Sequence, residues 1–114
     1  MKQGIVVTSA NGYVGIGKSI EVLQQGGTPL DAVEQGIRLV ESNIDDHTVG
    51  RAGIPNLLGQ IELDASIMDG SNRQAGAVAA LQGFEHPISI ARKVMEELPH
   101  VLLVDRGAKR FAKE

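Results

Sequence analysis

The stretch GYVGIGKS places glycine, lysine and a hydroxyl residue at the spacing of a phosphate-binding loop. Gly12, Gly17, Lys18 and Ser19 fit the pattern G-x-x-x-x-G-K-[ST]. The stretch follows IVVTS, an apolar run that predicts a buried strand. Such a loop surrounds phosphate oxygens with backbone N–H groups and brings the lysine and the hydroxyl to the phosphates and Mg²⁺. One hypothesis is therefore nucleotide binding through Gly12–Ser19.

A second match supports that hypothesis, but the elements between the two matches oppose it. Asp105 follows the apolar run VLLV, as the metal-binding aspartate of such enzymes follows a strand. However, Ile61, Leu63, Ala65 and Ile67 alternate with polar residues, the turn dipeptide DG follows, and QAGAVAALQG reads as a second strand. These segments predict an antiparallel hairpin, whereas phosphate-loop domains are built from parallel strands with helical crossovers.

Helical periodicity and capping residues predict four helices around this hairpin, and the first two are expected to cover a core with their apolar faces. The first follows the glycines of the opening stretch and ends at Gly26-Gly27; the second opens at Thr28-Pro29, where threonine can cap and proline suits the first turn. The third begins at Pro87, and the fourth lies in GAKRFAKE. The segment 42–59 lacks periodicity and predicts a long, functional loop. The fold class is α/β (α+β), and the last helix lacks a stop signal, so residues 1–114 are interpreted as a single partial domain.

Composition excludes several kinds of site. The chain of 114 residues has no cysteine, which excludes disulfides, thiolate metal sites and a cysteine nucleophile. Its net charge is −3 and its basic residues are scattered, so no nucleic-acid surface is predicted. No apolar run reaches the length of a membrane span. We therefore expect a soluble, cytoplasmic protein.

A longer pattern resembles a known family. The segments GGTPLDAVEQGIRLVE, HTVGRAGIPN, IELDASIMDG, AGAVAAL, HPISIARKVMEELPHVLLV and RFA follow one another in the order and spacing of the α-subunit region of the asparaginase type-2 family. These are N-terminal nucleophile hydrolases, and the resemblance is strongest to the glycosylasparaginase branch. It runs from about Gly4 to Ala112. The pattern LDA-x-IMDG followed by GAVA is far more specific than a four-residue phosphate pattern.

The resemblance implies a fold, an activity and a partner. The fold is a four-layer αββα sandwich, of which this chain supplies the N-terminal part. The activity is hydrolysis of a β-aspartyl amide bond in asparagine, glycosyl-asparagine or isoaspartyl peptides. No metal and no cofactor are required, because a threonine freed by self-cleavage supplies both nucleophile and base. That threonine belongs to a β-subunit absent from this sequence, so the chain alone is predicted to be inactive, and two αβ units are expected to pair.

The same resemblance implies the substrate-binding residues of this chain. Ala10, Asn11 and Gly12 fall on the pocket wall, with Ala10 where the family has tryptophan and Gly12 where it often has an aromatic residue. Ala10 removes a wall that an indole would provide. Thr48 lies in HTVG, which is similar to the motif that contains the family's nucleophilic threonine. By its place in the order of segments, Thr48 matches instead an earlier residue of the α-subunit, whose hydroxyl group lines the substrate site. The resemblance also implies that the phosphate-loop pattern is a coincidence.

The other polar residues have simpler interpretations. Asp69 is expected in a turn and Asp64 as a buried or half-buried hydrogen-bonding group. The three histidines lack metal-ligand spacing, and Asn43, Asp45 and Asp46 are interpreted as part of a solvated acidic loop. Ala52 after Arg51, where the family has glycine, restricts the loop backbone if a positive φ is needed. Three classes stay open: hydrolase subunit, nucleotide-binding protein, and a non-catalytic remnant of the hydrolase fold.

Overall fold

The computed structural model describes residues 4–114, which form four helices and one three-stranded sheet. In chain order the elements are α1 (Tyr13–Gln24), α2 (Pro29–Ser42), β1 (Leu63–Asp69), β2 (Gln74–Leu81), α3 (Pro87–Glu97), β3 (Leu102–Val104) and α4 (Asp105–Lys113), with short 3-10 helices at Ala10–Gly12 and Gly50–Ala52. The predicted mixture of helices and strands is confirmed. None of the helices formed by the described residues has the length and apolar character needed to cross a bilayer.

The sheet has the order β1-β2-β3 and contains the predicted hairpin. Strands β1 and β2 pair antiparallel, and β3 pairs parallel to β2 after the crossover through α3. The register shifts between Leu63 and Ala65, where two residues of β2 oppose one residue of β1. The side chain of Asp64 accepts the Ala80 N–H at 2.8 Å at this bulge. Asp64 therefore makes the expected hydrogen bond, but its side chain is exposed rather than buried.

Helices α3 and α4 cover one face of the sheet and close the hydrophobic core. The core joins side chains from β1, β2, α3 and α4, namely Ile67, Val78, Leu81, Ile88, Ala91, Val94, Met95 and Ala108. It contains aliphatic residues and methionine, as the scarcity of aromatic residues predicts. The opposite face of the sheet carries exposed Met68, Leu102 and Val104. One face of the sheet is thus buried, while the other is open within the described part of the chain.

Helices α1 and α2 form a pair joined by the short connection 25–28, and they pack at unusually short range. A Cβ on Gly15 would lie only 2.7 Å from the Gly36 carbonyl carbon. Beside this contact the buried Ser19 hydroxyl donates to the Ala32 carbonyl oxygen at 2.7 Å. The start of α2 is fixed by a reciprocal capping box between Thr28 and Asp31. The small residues therefore set the distance between the two helices.

Ionic hydrogen bonds connect α2 to α3. The Arg92 guanidinium on α3 contacts the carboxylates of Asp31 and Glu34 on α2, each at 2.7 Å. Ser89 donates to Glu34 at 2.6 Å and accepts from Arg38 at 2.7 Å. Because one planar guanidinium serves two carboxylates, the relative position of α2 and α3 is well defined.

Two predictions about local structure are wrong. Residues 4–9 are irregular rather than a strand, and Ile5 and Val7 are 88% and 87% exposed. No strand among the described residues pairs with this segment, so its apolar pattern has no ladder to join. Helices α1 and α2 were expected to cover a core with their apolar faces. Val33 and Ile37 instead remain exposed and face a cleft.

Candidate functional site

A cleft of about 590 Å³ lies between the N-terminal segment, the α1–α2 pair, the loop after α2 and strand β1. Its volume suits a small-molecule ligand. Its apolar wall includes Val6, Ile16, Val33, Ile37 and Val40. Its polar residues include Asn11, Thr48 and carboxylates from α2, the following loop and β1. The cleft therefore combines an apolar wall with a few convergent polar groups.

Two predicted site residues meet in the lining of this cleft. The Asn11 amide donates to Thr48 Oγ1 at 3.3 Å, although 37 positions separate them in the chain. Asn11 is placed by the 3-10 turn before α1, and Thr48 by the loop that follows α2. That loop crosses the end of α2 at Gly50, whose φ is +75° and whose Cβ would lie 2.6 Å from the Glu41 Cα. Glycine at this position thus permits the approach that brings Thr48 to Asn11.

The other two predicted pocket residues differ from each other. Gly12 lines the cleft, and a Cβ there would meet the Thr8 side chain. Ala10 is exposed and does not belong to the residues that line the cleft. The structure thus brings together Asn11, Gly12 and Thr48, and leaves Ala10 outside. Their roles in substrate binding stay predictions.

Asp46 anchors Thr48 and corrects the interpretation of the acidic loop. Asp46 is 7% exposed, and its Oδ1 accepts both the Thr48 N–H at 2.8 Å and the Thr48 hydroxyl at 2.6 Å. These hydrogen bonds hold the pKa of the Asp46 carboxyl below its usual value. Its Oδ2 is buried and has no hydrogen-bond partner among residues 4–114. Only Asp45 of the two aspartates is solvated as predicted.

Glu41 is a second buried carboxyl group beside the cleft. It is 3% exposed, and its Oε2 accepts the Ile88 N–H at 3.1 Å, which caps the start of α3 from another helix. Its Oε1 lies 3.7 Å from His86 Nδ1, and neither atom has a hydrogen-bond partner in the described chain. Burial raises the pKa of Glu41 to about 7 and lowers the pKa of His86. Since both shifts favour the neutral forms, and His86 is neutral where Glu41 ionises, we interpret this contact as one that is not an ion pair.

The electrostatic character of the cleft is acidic. Within residues 4–114 its lining contains the carboxylates of Asp46, Glu62 and Asp64, in addition to Glu41 with its raised pKa, but no lysine, arginine or histidine. Such a lining favours ligand groups that carry N–H donors or positive charge. The described residues contain no cluster of three or more histidines or acidic residues suited to a metal ion.

Asp69 accepts from the Ser71 N–H and hydroxyl groups, which confirms its assignment to a turn.

The phosphate-loop interpretation of Gly12–Ser19 is wrong. The helix begins at Tyr13, so Lys18 lies in its second turn instead of at its N-terminus. Lys18 is partly exposed and its Nζ lies 3.4 Å from Glu21 Oε1. The Ser19 side chain is buried and its hydroxyl donates to the Ala32 carbonyl oxygen, so it packs against α2 and not at an open phosphate site. The N–H groups of Gly12 and Tyr13, at the start of the pattern, donate instead to the Ser9 and Ala10 carbonyl oxygens of the preceding turn.

The fold and cleft define an α+β protein in which Thr48 of a loop and Asn11 of the segment before α1 line a cleft of small-molecule size. The sequence profile described as asparaginase matches residues 4–114. The chain belongs to the asparaginase family, as its sequence motifs predict.

Curated relatives carry related names. The chain is 50% identical over 92 residues to the N(4)-(beta-N-acetylglucosaminyl)-L-asparaginase of Elizabethkingia miricola, covering 81% of this chain and 27% of that protein. It is 41% identical over 110 residues to the human isoaspartyl peptidase/L-asparaginase, covering 96% of this chain and 33% of the human protein. The plant-type L-asparaginase of Pyrococcus horikoshii is 47% identical over 87 residues, covering 76% of this chain and 28% of that relative. The chain thus spans about a third of the length of these proteins.

Sequence reasoning missed the two buried carboxyl groups. Glu41 ends a helix and has no motif that predicts its contact with α3, since that contact joins residues 47 positions apart. Asp46 had an available signal, because aspartate two residues before a threonine can accept from the threonine backbone in an Asx turn. The sequence does not reveal that this turn is buried beside a cleft.

Proposed function

We propose that this chain is the α-subunit part of a self-processing amidohydrolase that cleaves β-aspartyl amide bonds. The observation that carries the proposal is the cleft in which Thr48 and Asn11 meet beside an acidic lining. The names of the relatives, which refer to asparagine, isoaspartyl peptides and glycosyl-asparagine, support the substrate class.

The charge of the cleft supports a composite active site. A β-aspartyl substrate carries an α-ammonium, an α-carboxylate and the scissile amide. The acidic lining suits the α-ammonium, but the described lining offers no cation for the α-carboxylate. We infer that a second subunit supplies that cation together with the nucleophile, as the resemblance to N-terminal nucleophile hydrolases implies. Its N-terminal threonine would attack the amide carbonyl while the free α-amine takes the hydroxyl proton. The C–N bond then breaks as the α-amine returns that proton to the leaving nitrogen, and water hydrolyses the resulting ester to release aspartate and free the threonine. This chemistry needs no cofactor.

The open face of the sheet supports a larger assembly. Met68, Leu102 and Val104 are exposed on the side of the sheet opposite α3 and α4. An apolar sheet face is stable when another layer covers it. We propose that a second sheet from the β-subunit covers it, which gives the four-layer αββα sandwich, and that two αβ units pair.

Intact mass spectrometry of the product of the full-length gene tests this proposal. Under denaturing conditions we expect two polypeptides, the second of which begins with threonine. The processed protein should release aspartate from asparagine, an isoaspartyl dipeptide or glycosyl-asparagine, and the relative rates identify its substrate. A single unprocessed species that releases no aspartate would refute the hydrolase and favour the non-catalytic remnant, for which the uncovered apolar sheet face would be an interaction surface.

A further inference from the structure

The hydrogen bonds around Thr48 assign a direction to its hydroxyl group. We propose that Asp46 is a positioning residue: it holds the Thr48 hydroxyl hydrogen, so that Thr48 presents an acceptor lone pair to an N–H or O–H group in the cleft. That group belongs to the substrate or to the attacking nucleophile. The inference rests on the proposed hydrolase function and extends it to a residue that acts through Thr48.

The count of donors and acceptors at Thr48 leads to this direction. A threonine hydroxyl has one hydrogen and two lone pairs. A carboxylate only accepts, so the hydrogen points to Asp46 Oδ1 at 2.6 Å. Asn11 then has to present its N–H group, and it occupies one lone pair at 3.3 Å. One lone pair of the hydroxyl is left, and Thr48 lines the cleft.

A turn alone would not need this arrangement. Asp46 Oδ1 also accepts the Thr48 N–H, which by itself completes an Asx turn. The carboxylate is nevertheless buried, and its Oδ2 has no partner among the described residues. Leaving a buried carboxylate oxygen unpaired is unfavourable. Neighbouring Asp45 lies in the same loop with an exposed side chain. The burial of Asp46 therefore goes beyond what turn formation requires, and fits a residue that orders the cleft.

A double-mutant cycle in the processed full-length enzyme tests the inference. The variants are Asp46→Ala, Thr48→Val and the double variant, with Asp46→Asn and Thr48→Ser as conservative changes and Asp45→Ala as the matched control. We expect Asp46→Ala and Thr48→Val each to lower kcat/KM by about 10-fold to 100-fold, because a charge-assisted hydrogen bond and the orientation that depends on it are lost. The double variant should be no worse than Thr48→Val alone.

The conservative changes separate positioning from folding. Asp46→Asn keeps a carbonyl oxygen that can accept both hydrogen bonds, and Thr48→Ser keeps the hydroxyl, so both variants should retain most activity. Asp45→Ala should behave like the unchanged enzyme. If Asp46→Ala does not fold, Asp46→Ser, which keeps a turn-forming oxygen, takes its place in the cycle.

Several results would overturn the inference. Losses that multiply in the double variant would show that Asp46 does not act through Thr48, and full activity of Thr48→Val would show that the hydroxyl is not used. Either result leaves the proposed hydrolase intact, because the unchanged enzyme would still release aspartate. An unchanged enzyme that releases no aspartate from any of the three substrates would overturn the proposed function and this inference with it.

Discussion

Replacement of Glu41 by glutamine tests whether the buried carboxyl group limits stability above neutral pH. The Glu41 side chain is almost fully buried, one oxygen accepts the Ile88 N–H, and the other lies 3.7 Å from His86 Nδ1 without a hydrogen bond in the described chain. Glutamine has nearly the same shape and keeps an acceptor for Ile88. Its amide N–H can also donate to the neutral His86 ring, so the variant satisfies an atom that is unpaired in the present arrangement.

The size of the effect follows from the pKa of Glu41. Burial raises this pKa from 4.5 to about 7. At about 1.36 kcal/mol for each pH unit, the difference corresponds to about 3 kcal/mol. Because the folded-state pKa is raised, the stabilising contribution is complete below pH 4.5 and is lost as the pH rises through about 7. Glutamine does not titrate, so Glu41→Gln should raise the free energy of unfolding by up to about 3 kcal/mol at about pH 8 and change it little at about pH 4.

Denaturant unfolding of the full-length protein at acidic and alkaline pH checks this prediction. His86 acts in the opposite direction, since its lowered pKa reduces stability as the pH falls below 6.5. The difference between the variant and the unchanged protein isolates Glu41 from this effect. Glu97→Gln, at an exposed position of α3, is the matched control and should leave the pH dependence unchanged. Destabilisation by Glu41→Gln at alkaline pH would refute the reasoning, because it would show that Glu41 is ionised and paired with a cation in the folded protein.

Four further substitutions concern the α1–α2 pair. Gly36→Ala should lower the free energy of unfolding by more than about 2 kcal/mol, since its Cβ would collide with the Ser19 hydroxyl. Gly17→Ala places its Cβ at an exposed position of α1 with no heavy atom within 4 Å, so it should raise the free energy of unfolding by about 0.5–1 kcal/mol. Thermal unfolding measures both. Ser19→Ala removes this donor from the Ala32 carbonyl, which keeps its helical hydrogen bond, and should cost about 0.5–1.5 kcal/mol in the same assay. Lys18→Ala should change the free energy of unfolding by less than about 1 kcal/mol, because its ion pair with Glu21 is exposed. Neither this variant nor the unchanged protein should bind ATP–Mg²⁺ in calorimetry. Binding by the unchanged protein that Lys18→Ala abolishes would show that the phosphate-loop hypothesis is right.

The parts of the fold that the sequence predicted are those determined by neighbours in the chain. The α2 helix begins at Pro29 with the cap at Thr28 because both signals lie within one turn. The β1–β2 hairpin has its turn at the predicted DG dipeptide, and the period-two alternation in β1 determines which face of that strand is buried. The resemblance found the family because LDA-x-IMDG is long enough to be specific.

The parts that the sequence did not predict depend on contacts between distant segments. The carboxyl group of Glu41 reaches the start of α3, and Asp46 becomes buried only when the loop crosses α2 at Gly50. Ser19 shows the same limitation in a motif: its residue type fits a phosphate loop, but packing of α1 on α2 uses its hydroxyl for a backbone carbonyl. Four residues at fixed spacing therefore identify a phosphate loop only together with a helix that begins at the lysine.

The segment that contains Ile5 and Val7 links the wrong strand prediction to the proposed four-layer fold. Its pattern is that of a buried strand, yet both side chains are almost fully exposed and the segment pairs with no strand among residues 4–114. A strand needs a partner for its backbone hydrogen bonds, and the proposed β-subunit is the candidate that would supply one. In the proposed complex with the β-subunit, amide hydrogens of residues 5–8 should then exchange as slowly as those of β1, and far more slowly than those of the exposed Leu57–Leu58 turn. Hydrogen exchange with mass spectrometry measures all three segments in one experiment. Exchange of residues 5–8 at the rate of that turn would show that the segment is irregular in the whole protein too, and would remove this support for a second sheet packed against the chain.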